Sequence, residues 1–428
     1  MAMNRRSFLL TSVASMLPLP LHAGGTRITL RPGQVSAHIN QQSIDMLGFN
    51  GSWPGPEIRL RQNDRLRVRV VNELENGTIL HWHGIRLPNA MDGVNVLTQD
   101  AIPPGRSFDY DFKVPDAGTF WYHSHYMSVE QVSRGMFGPL IVEEIDPPDV
   151  DQDITVMLFD VLLDADGQFE TEFEPEQFAT AGRIGNIMTP FVSTGKVRLG
   201  ERLRLRVINP APDRIFNIRL DGVNGKIVAL DGMPLTQLQP MENLTLAPGQ
   251  RVDIIGDVLG NVSIIESTDT DETELVRIPI DGERKPREGE VLPLPKSSLP
   301  RPGLVTYEAD LEMQGGAGGM AHGGFGTWAF NDTSGLPDKP LVSVPRGDTV
   351  RLRLINNTAF PHGIHLHGHH FWETTTDGKP TYLRDTTLLA AGETREILCV
   401  LDNPGSWLLH CHMLSHQVDG MATWLYVS

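Results

Sequence analysis

Alternating apolar and basic residues occur at three places along the chain and predict three equivalent strands. The segments cover residues 64–72, 201–209 and 348–356, and they read DRLRVRVVN, ERLRLRVIN and DTVRLRLIN. A period of two is typical of a strand that has one buried and one exposed face. Each copy is therefore predicted to be a half-buried strand, and the regular spacing of the copies predicts three β-sandwich domains of similar size.

Turn-forming residues between the predicted strands indicate an all-β protein with few helices. The 428 residues include 42 glycines and 31 prolines. Hydrophobic residues make up 40% of the chain, which is enough for about two to four domains with sizeable cores. A proline-containing link at 146–149 and a proline- and charge-rich stretch at 281–302 separate the domains. We therefore predict domains at 24–146, 150–280 and 303–428.

Four His-x-His pairs that share no residue occur among the fifteen histidines of the chain. They are His81/His83, His123/His125, His365/His367 and His410/His412. On a strand each pair places two imidazoles on the same face, as a shared metal cluster requires. In both outer repeats a pair begins nine residues after the asparagine that ends the repeat. We therefore predict a metal cluster between the outer domains. The middle copy has Ile218 and Leu220 at the corresponding positions, and no metal ligand is predicted there.

The segment 410–421, HCHMLSHQVDGM, combines imidazole, thiolate and thioether side chains, which are ligands that copper selects. It continues an apolar strand, so Cys411 should face away from His410 and His412. Cys411, His416 and Met421 would then supply three of the four ligands of a blue-copper site, and another imidazole must come from elsewhere. A single histidine pair would indicate only a partly exposed strand, whereas four pairs together with this segment indicate copper chemistry.

Four motifs of the chain resemble the copper-binding motifs of the multicopper oxidases. They are HWHG (81–84), WYHSH (121–125), HGIHLHG (362–368) and the segment 410–421. That family includes laccases, bilirubin oxidases and periplasmic cuprous oxidases. One departure is Gly363, where the family often has proline, although Pro361 still stiffens the loop. The resemblance implies three consecutive cupredoxin-like Greek-key β-sandwich domains and four copper ions, one in a blue mononuclear site and three in a trinuclear cluster.

The resemblance also implies a role for each ligand. The blue copper would be held by His362, Cys411 and His416, with Met421 as a long axial ligand. The two-coordinate copper would be held by His81 and His365. The binuclear pair would be held by His83, His123 and His412 on one ion and by His125, His367 and His410 on the other. Cys411 would have a catalytic role as well, because electrons would pass through it to the cluster, where dioxygen is reduced to water.

Proton delivery to the cluster needs a nearby acid. Asp92 lies nine residues after His83, where the family has a relay aspartate, so it is a candidate catalytic residue; a solvated loop aspartate is the alternative. On the other side the family often has glutamate directly after the histidine that matches His416, but this chain has Gln417. A path on that side would need water or Asp419.

The resemblance to laccases favours one-electron oxidation of phenols or aromatic amines, with electrons entering through the edge of His416 in a surface depression. Oxidation of Cu(I) or Fe(II) is the alternative. Thr358 argues against that alternative. The family's cuprous oxidases have aspartate at this position, four residues before the ligand that matches His362. A glycine-rich stretch at 313–326 carries Met313, Met320 and His322, which would make either a metal-binding insert or a plain loop. A non-catalytic exported relative is disfavoured by the complete ligand set.

Residues 1–23 resemble a twin-arginine export signal around Arg5 and Arg6, which predicts a periplasmic or extracellular protein that uses the twin-arginine machinery. The apolar run is too short to span a bilayer, and no membrane span is predicted in the mature chain. A formal charge of −17 argues against nucleic acid or an anionic membrane as partner. Cys399 is predicted to be a buried free thiol. A site complete within one chain makes a monomer sufficient.

Overall fold

The three repeat segments form strands, and each of these strands has one parallel and one antiparallel neighbour. The structure is a computed structural model that describes residues 21–22, 27–268, 270–317 and 327–428. Each repeat strand, β6 (Arg65–Val71), β16 (Arg202–Ile208) and β26 (Asp348–Asn356), pairs in parallel with one strand and antiparallel with another. The same arrangement in all three copies indicates three units of related topology.

The first unit covers residues 21–143. Its strands are β1 (Leu21–His22), β2 (Ile28–Leu30), β3 (Pro32–Ile39), β4 (Gln42–Phe49), β5 (Ile58–Arg61), β6, β7 (Leu80–His83), β8 (Ser107–Lys113), β9 (Gly118–Ser124) and β10 (Phe137–Glu143). Helix α1 spans Ser128–Ser133 and a 3-10 helix spans Asn89–Met91. The sheets have the orders β1-β5-β10-β9-β7, β2-β6-β8 and β3-β4. Apolar side chains from the first two sheets share one core.

The second unit covers residues 152–283. Its elements are β11 (Gln152–Met157), β12 (Asp160–Val161), α2 (Pro175–Ala179), β13 (Ile187–Met188), β14 (Phe191–Val192), β15 (Val197–Leu199), β16, β17 (Phe216–Leu230), β18 (Met233–Pro240), β19 (Leu244–Leu246), β20 (Arg251–Ser267), β21 (Glu272–Ile278) and β22 (Ile280–Glu283). The main sheet has the order β14-β11-β16-β20-β17-β18, with β19 beside β17 and β21 beside β20. Two smaller sheets pair β12 with β13 and β15 with β22.

The third unit covers residues 305–427. Its elements are β23 (Val305–Gln314), β24 (Ala329–Phe330), β25 (Val342–Val344), β26, β27 (His362–Leu366), β28 (Phe371–Thr374), β29 (Pro380–Arg384), β30 (Thr386–Leu389), β31 (Thr394–Leu401), β32 (Gly405–Cys411), α3 (Leu414–Val418) and β33 (Ala422–Val427). The sheets have the orders β24-β23-β26-β31-β28-β29 and β25-β33-β32-β27-β30. The predicted all-β class is therefore confirmed.

A buried asparagine that ends the repeat makes the same hydrogen bonds in every unit. The side-chain amide of each asparagine donates to two main-chain carbonyls. The nearer one lies four residues ahead for Asn72 and Asn356 and five residues ahead for Asn209, and the other lies 30 to 37 residues ahead. Each asparagine oxygen also accepts from the main-chain N–H two residues ahead. Because these groups are buried, the bonds fix the turn after each repeat strand.

The prediction of a half-buried strand is wrong for the middle repeat. All seven residues of β16 are buried, whereas β6 alternates between buried and more exposed positions. The guanidinium of Arg204 donates two hydrogen bonds to Glu144, and that of Arg206 donates to Thr119. The basic face of this strand therefore packs against Thr119 of β9 and against Glu144, the residue directly after β10, instead of facing water.

The segments predicted as a linker and as an export signal can be compared with the strands of the structure. Strand β22 extends to Glu283, into the predicted linker, and the described residues 284–304 contain neither helix nor strand. Most of the predicted export signal lies outside the described residues, but Leu21 and His22 form β1 and pair with Ile58 and Arg59. Of the helices described, none is both long and apolar enough to cross a bilayer.

Candidate metal centre

The four histidine pairs lie on two pairs of adjacent strands or one residue beyond their ends, with one pair of strands in the first unit and one in the third. Strands β7 and β9 are antiparallel, with His81 opposite His123, and β27 and β32 are antiparallel, with His365 opposite His410. All residues of β7, β9 and β27 are buried. The sheet register thus brings the pairs of each unit together, and the rings of His83 and His365 stack across the units with centroids 3.8 Å apart.

The side chains gather into groups whose candidate ligand atoms all lie within 4.8 Å of one another. The groups are His81, His83 and His365; His83, His123 and His412; His125, His367 and His410; His81, Asp92 and His367; and His362, Cys411 and His416. The structure therefore brings together the histidines and the cysteine that the family resemblance assigns to each copper. Cys411 joins a different group from its neighbours His410 and His412, as the alternation of a strand requires.

Several ring nitrogens in these groups are buried without a hydrogen-bond partner among the described residues. The unpartnered atoms are Nε2 of His81, His123, His125 and His365, Nδ1 of His83, and both ring nitrogens of His412. The Nδ1 atoms of His81, His123 and His365 lie 2.7, 3.0 and 2.9 Å from main-chain carbonyl oxygens, to which their N–H groups donate. These bonds leave the Nε2 lone pairs free, as metal ligands must be.

Burial keeps these imidazoles neutral. Desolvation lowers the pKa of His83, His123, His125, His365, His367 and His412 well below the ordinary value, and neighbouring histidines lower it further. The pKa of His410 falls to about 3 for the same principal reason. Neutral imidazole is the form that binds copper. A cluster of free, neutral nitrogens in a shared interior fits copper ions, since burying so many unpaired polar atoms otherwise only costs stability.

The group around Cys411 lies in the third unit. The Nδ1 atoms of His362 and His416 are 3.6 and 3.7 Å from the Cys411 sulfur, and 3.0 Å from each other. Burial raises the pKa of the Cys411 thiol, so its thiolate needs a cation beside it. Met421 is buried, and its carbonyl accepts a hydrogen bond from the Cys411 N–H. The donor set suits a blue-copper ion.

The outer nitrogens of the two histidines in this group are both hydrogen-bonded. The His362 Nε2–H donates to the Thr358 hydroxyl at 2.8 Å, while that hydroxyl donates to Asn356. The His416 Nε2–H donates to the carbonyl of Thr180 at 2.7 Å. These bonds leave both Nδ1 atoms free to face the sulfur. Thr358 therefore orients a candidate ligand, a role that the sequence comparison with cuprous oxidases did not reveal.

His416 does not lie in an open depression, so that expectation is wrong. Its side chain is buried. The carbonyl of Thr180, from the second unit, covers its Nε2, and the indole of Trp328 lies over its ring with centroids 4.2 Å apart. The Trp328 indole N–H in turn donates to the carbonyl of Phe178. The segment after α2 thus closes over this histidine.

Asp92 is buried beside the histidine cluster, so a solvated loop aspartate is excluded. Its carboxylate accepts from the Nδ1–H of His367 at 3.0 Å, and its main-chain carbonyl accepts from His81. Its other carboxylate oxygen has no hydrogen-bond partner within the described part of the chain. Gln417 is only half-buried, at the surface of α3.

Two residues near the cluster were not predicted from the sequence. The carboxylate of Asp385, just before β30, faces His83 Nε2 at 3.2 Å and pairs with Arg251, the first residue of β20. Gly249 has a φ of +84°, and an added Cβ would lie 2.9 Å from His83. The second unit, which offers no candidate ligand within its described residues, therefore packs directly against the cluster.

The proposed metal-binding loop at 313–326 is only partly described. Met313 lies in β23 and is fully buried in the core, so it is not available as a loop ligand. Met320 and His322 lie outside the described residues.

A buried carboxylate of the second unit fixes the helix that carries His416. Asp213 accepts hydrogen bonds from the N–H and hydroxyl of Ser415 in α3, at 3.0 and 2.7 Å, and from the N–H of Arg183. Arg183 directly follows the segment that covers His416. The Asp213 side chain therefore binds both helix α3 and this covering segment. Burial raises the pKa of Asp213 to about 6, although these bonds favour the carboxylate.

We expect Asp213→Asn to gain stability relative to the wild type as pH rises from about 4 to about 6. Over this range the folded wild type retains a proton that the unfolded chain has already released, so its free energy of unfolding falls with pH. At about 1.4 kcal/mol per pKa unit, the relative gain is about 3 kcal/mol. Urea unfolding of both copper-free proteins at several pH values measures the difference, and a difference that is constant with pH would contradict it.

Three segments of the chain match models of known protein families. Residues 32–146, 161–261 and 312–428 each match a multicopper oxidase family. The crystal structure of Lac15 from a marine microbial metagenome is similar to 94% of this chain over 100% of its own length, with 45% identity and a TM-score of 0.82.

Two curated proteins are similar over most of their length. The multicopper oxidase MmcO of Mycobacterium tuberculosis is 29% identical, over 94% of this chain and 87% of its own sequence. Laccase-1 of Botryotinia fuckeliana is also 29% identical, over 88% of this chain and 77% of its own sequence.

Proposed function

This chain belongs to the multicopper oxidase family, and we propose that its grouped histidines, Cys411 and Met421 bind four copper ions. It is a copper-dependent oxidase with dioxygen as electron acceptor. In the proposal one ion is bound by His362, Cys411, His416 and Met421. The other three form a cluster held by His81 and His365, by His83, His123 and His412, and by His125, His367 and His410.

The free nitrogens at the centre of the cluster carry this proposal. Buried polar atoms normally have hydrogen-bond partners, yet seven ring nitrogens of these histidines have none within the described residues. They belong to the groups in which candidate ligand atoms converge within 4.8 Å. Metal ions account for both the convergence and the missing partners.

Bound copper would supply the one-electron transfers and the reduction of dioxygen. The protein connects the two proposed sites through its own main chain, because Cys411 lies between His410 and His412, and both histidines belong to groups of the cluster. Burial of the cluster histidines excludes bulk water from the reacting groups. Thr358 and Thr180 hold the two imidazoles on either side of the Cys411 sulfur.

Asp92 is the proposed carrier of protons to the cluster. Its carboxylate contacts His367, and its second oxygen is free to hold a proton. We expect Asp92→Asn to lower the rate of oxygen reduction by about 10- to 100-fold, because an amide cannot release a proton as an acid. Oxygen uptake at saturating reductant measures the effect. Asp109→Asn is the control, since Asp109 pairs with Arg69 at the surface of the first unit and belongs to none of the groups of candidate ligands.

An organic reductant is the favoured donor. Electrons from the donor would reach His416 by way of Thr180 and Trp328, because both residues contact its imidazole. Thr358 is engaged with His362 and Asn356 and offers no carboxylate to a metal ion. We therefore favour phenols or aromatic amines, as in a laccase.

One observation favours oxidation of a metal ion instead. The segment before Thr180 has six carboxylates between residues 164 and 176 and no lysine or arginine. They belong to Asp164, Asp166, Glu170, Glu172, Glu174 and Glu176. Such a run attracts cations, so Cu(I) or Fe(II) is the second candidate donor.

Steady-state oxygen uptake by the copper-loaded protein tests the proposal. We would compare 2,6-dimethoxyphenol, Cu(I) and Fe(II), with copper-free protein as control. Uptake with the phenol supports the laccase-like function, and turnover confined to metal ions assigns the protein to metal oxidation. Absence of uptake with every donor, despite four bound copper ions, would refute the oxidase proposal.

Export through the twin-arginine route and function as a monomer belong to the same proposal. Arg5 and Arg6 precede an apolar run, as that route requires. Every proposed ligand comes from one chain, so a second copy is not needed to complete the site. Replacement of both arginines by lysine should reduce the amount of exported protein, which fractionation of the producing cells measures.

A further inference from the structure

We propose that Gln131 is a positioning residue of the copper cluster, and that its side chain occupies in the first unit the place that His416 has in the third. Gln131 lies in helix α1, which begins three residues after His125. The inference rests on the proposed function, because the residues that serve for comparison are the proposed ligands of the blue copper ion.

The strands around the two places are paired in the same way. In both units the two strands that carry the histidine pairs are antiparallel, and the residue between the second pair is Ser124 in the first unit and Cys411 in the third. The N–H of the next histidine donates to the carbonyl two residues before the first histidine of the other pair, which belongs to Ile79 or Gly363. Ser124 therefore corresponds to Cys411.

The helices after these strands identify the counterpart of His416. In the third unit the N–H of Met421 donates to the carbonyl of His416, five residues earlier. In the first unit the N–H of Met136 donates to the carbonyl of Gln131, also five residues earlier. Each methionine is buried, and its own carbonyl accepts from the N–H of the corresponding cysteine or serine. Gln131 therefore corresponds to His416, although the first unit has two more residues between strand and helix.

The remaining ligand position of the blue site also has a counterpart. His362 lies three residues before His365, and Thr78 lies three residues before His81. The proposed ligands His362, Cys411, His416 and Met421 thus correspond to Thr78, Ser124, Gln131 and Met136. All four side chains of the first unit are buried, as are those of the third.

Hydrogen bonds hold these side chains together in the first unit. The Oε1 atom of Gln131 accepts from the hydroxyls of Thr78 and Ser124, at 2.9 and 2.6 Å. Its Nε2–H group donates to the carbonyl of Gly77 at 2.8 Å. Hydroxyl and amide oxygens are not the donors that copper selects. One amide side chain therefore makes the connection that a copper ion makes in the proposed blue site.

These bonds connect the two strands of the first unit that carry cluster histidines. Gly77 and Thr78 lead into β7, and Ser124 ends β9, between His123 and His125. Buried polar groups lose stability when they lose their partners, so the three groups bound by Gln131 stay together. Gln131 thereby fixes the spacing of proposed ligands on both strands, although its own side chain carries no proposed ligand atom.

Gln131→Leu tests this role, with copper content and visible absorption as the measurements. Leucine leaves the hydroxyls of Thr78 and Ser124 without their acceptor. We expect copper to bind the cluster about 10- to 100-fold more weakly, while the blue colour persists. Gln62→Leu is the matched control, since the Gln62 side chain donates to the carbonyl of Pro115 in the same unit, and we expect it to bind copper as the wild type does. Equal weakening of both sites, or of neither, would overturn the positioning role.

A gain of copper binding tests the correspondence itself. To Cys411→Ser, which removes the thiolate of the proposed blue site, we would add Thr78→His, Ser124→Cys and Gln131→His. These changes supply the ligand types of a blue-copper site, with Met136 as the axial thioether. We expect a blue absorption that Cys411→Ser alone lacks. Copper binding without this absorption, in a variant whose circular dichroism matches the wild type, would overturn the correspondence. If the combined variant does not fold, Gln131→Leu decides.

Hydrogen exchange of the copper-free proteins separates this inference from the proposed function. We expect the main-chain N–H groups of β7 and β9 to exchange about 10-fold faster in Gln131→Leu than in the wild type, with β27 and β32 unchanged. That result in a protein that takes up no copper would support the positioning role while refuting the proposed function. Unchanged exchange in β7 and β9 would overturn the positioning role.

Discussion

Replacement of Cys411 by serine is expected to abolish the blue colour and the oxidase activity of the copper-loaded protein. The hydroxyl of serine is a poor ligand for a soft copper site, and the sulfur link between the two copper sites is lost. We expect turnover to fall by more than about 100-fold. Loss of a residue that only hydrogen-bonds a metal ligand usually lowers activity by about 10- to 100-fold, and loss of the ligand itself should have a larger effect. Visible absorption, copper content and oxygen uptake measure the result.

The second cysteine provides the matched control. Cys399 is also buried, but it lies in β31 and its thiol contacts the carbonyl of His370. Cys399→Ser should keep the blue colour, because its sulfur belongs to none of the groups of candidate ligands. Blue colour and turnover that survive in Cys411→Ser, or disappear equally in both variants, would contradict the assignment of the blue site.

Replacement of Arg204 by methionine is expected to lower the free energy of unfolding by about 3–5 kcal/mol. Its guanidinium is fully buried and donates to Glu144 and Asp253 at 2.6–3.0 Å. Without it, Glu144 keeps a buried carboxylate with no cation of its own, and desolvation of that charge is no longer offset. Urea unfolding of the copper-free proteins measures the change.

Arg67→Met is the control, because Arg67 occupies the same position of the first repeat. Its guanidinium lies at the surface, 3.6 Å from Asp111, where an ion pair contributes at most about 1 kcal/mol. Equal losses of stability in the two variants would show that burial of Arg204 is not the reason for its effect.

The convergence of the candidate ligands follows from the sequence because their pattern is local and repeated. The period of two on a strand places both rings of a histidine pair on one face. The register of β7 with β9 then places His81 opposite His123. The alternation of Cys411 with its two histidine neighbours follows from the same geometry.

The contacts between units could not be predicted in this way. The alternation in β16 shows that Arg204 and Arg206 share a face, but not that the first unit covers it. The same limit applies to Thr180, whose main-chain carbonyl, and not its side chain, contacts His416. Asp385 is a single aspartate between two strands, and its contacts with His83 and Arg251 arise only from the docking of the three units.

The pairing of side chains from opposite ends of the chain also dictates when the site can exist during synthesis. Asp92 and His367 are 275 residues apart, and His83 and Asp385 are 302 apart. The histidines of 410–416 are translated after the whole of the first two units. A nascent chain with a folded first unit therefore presents only part of the proposed copper cluster, and complete metal loading would report that all three units have been translated and assembled.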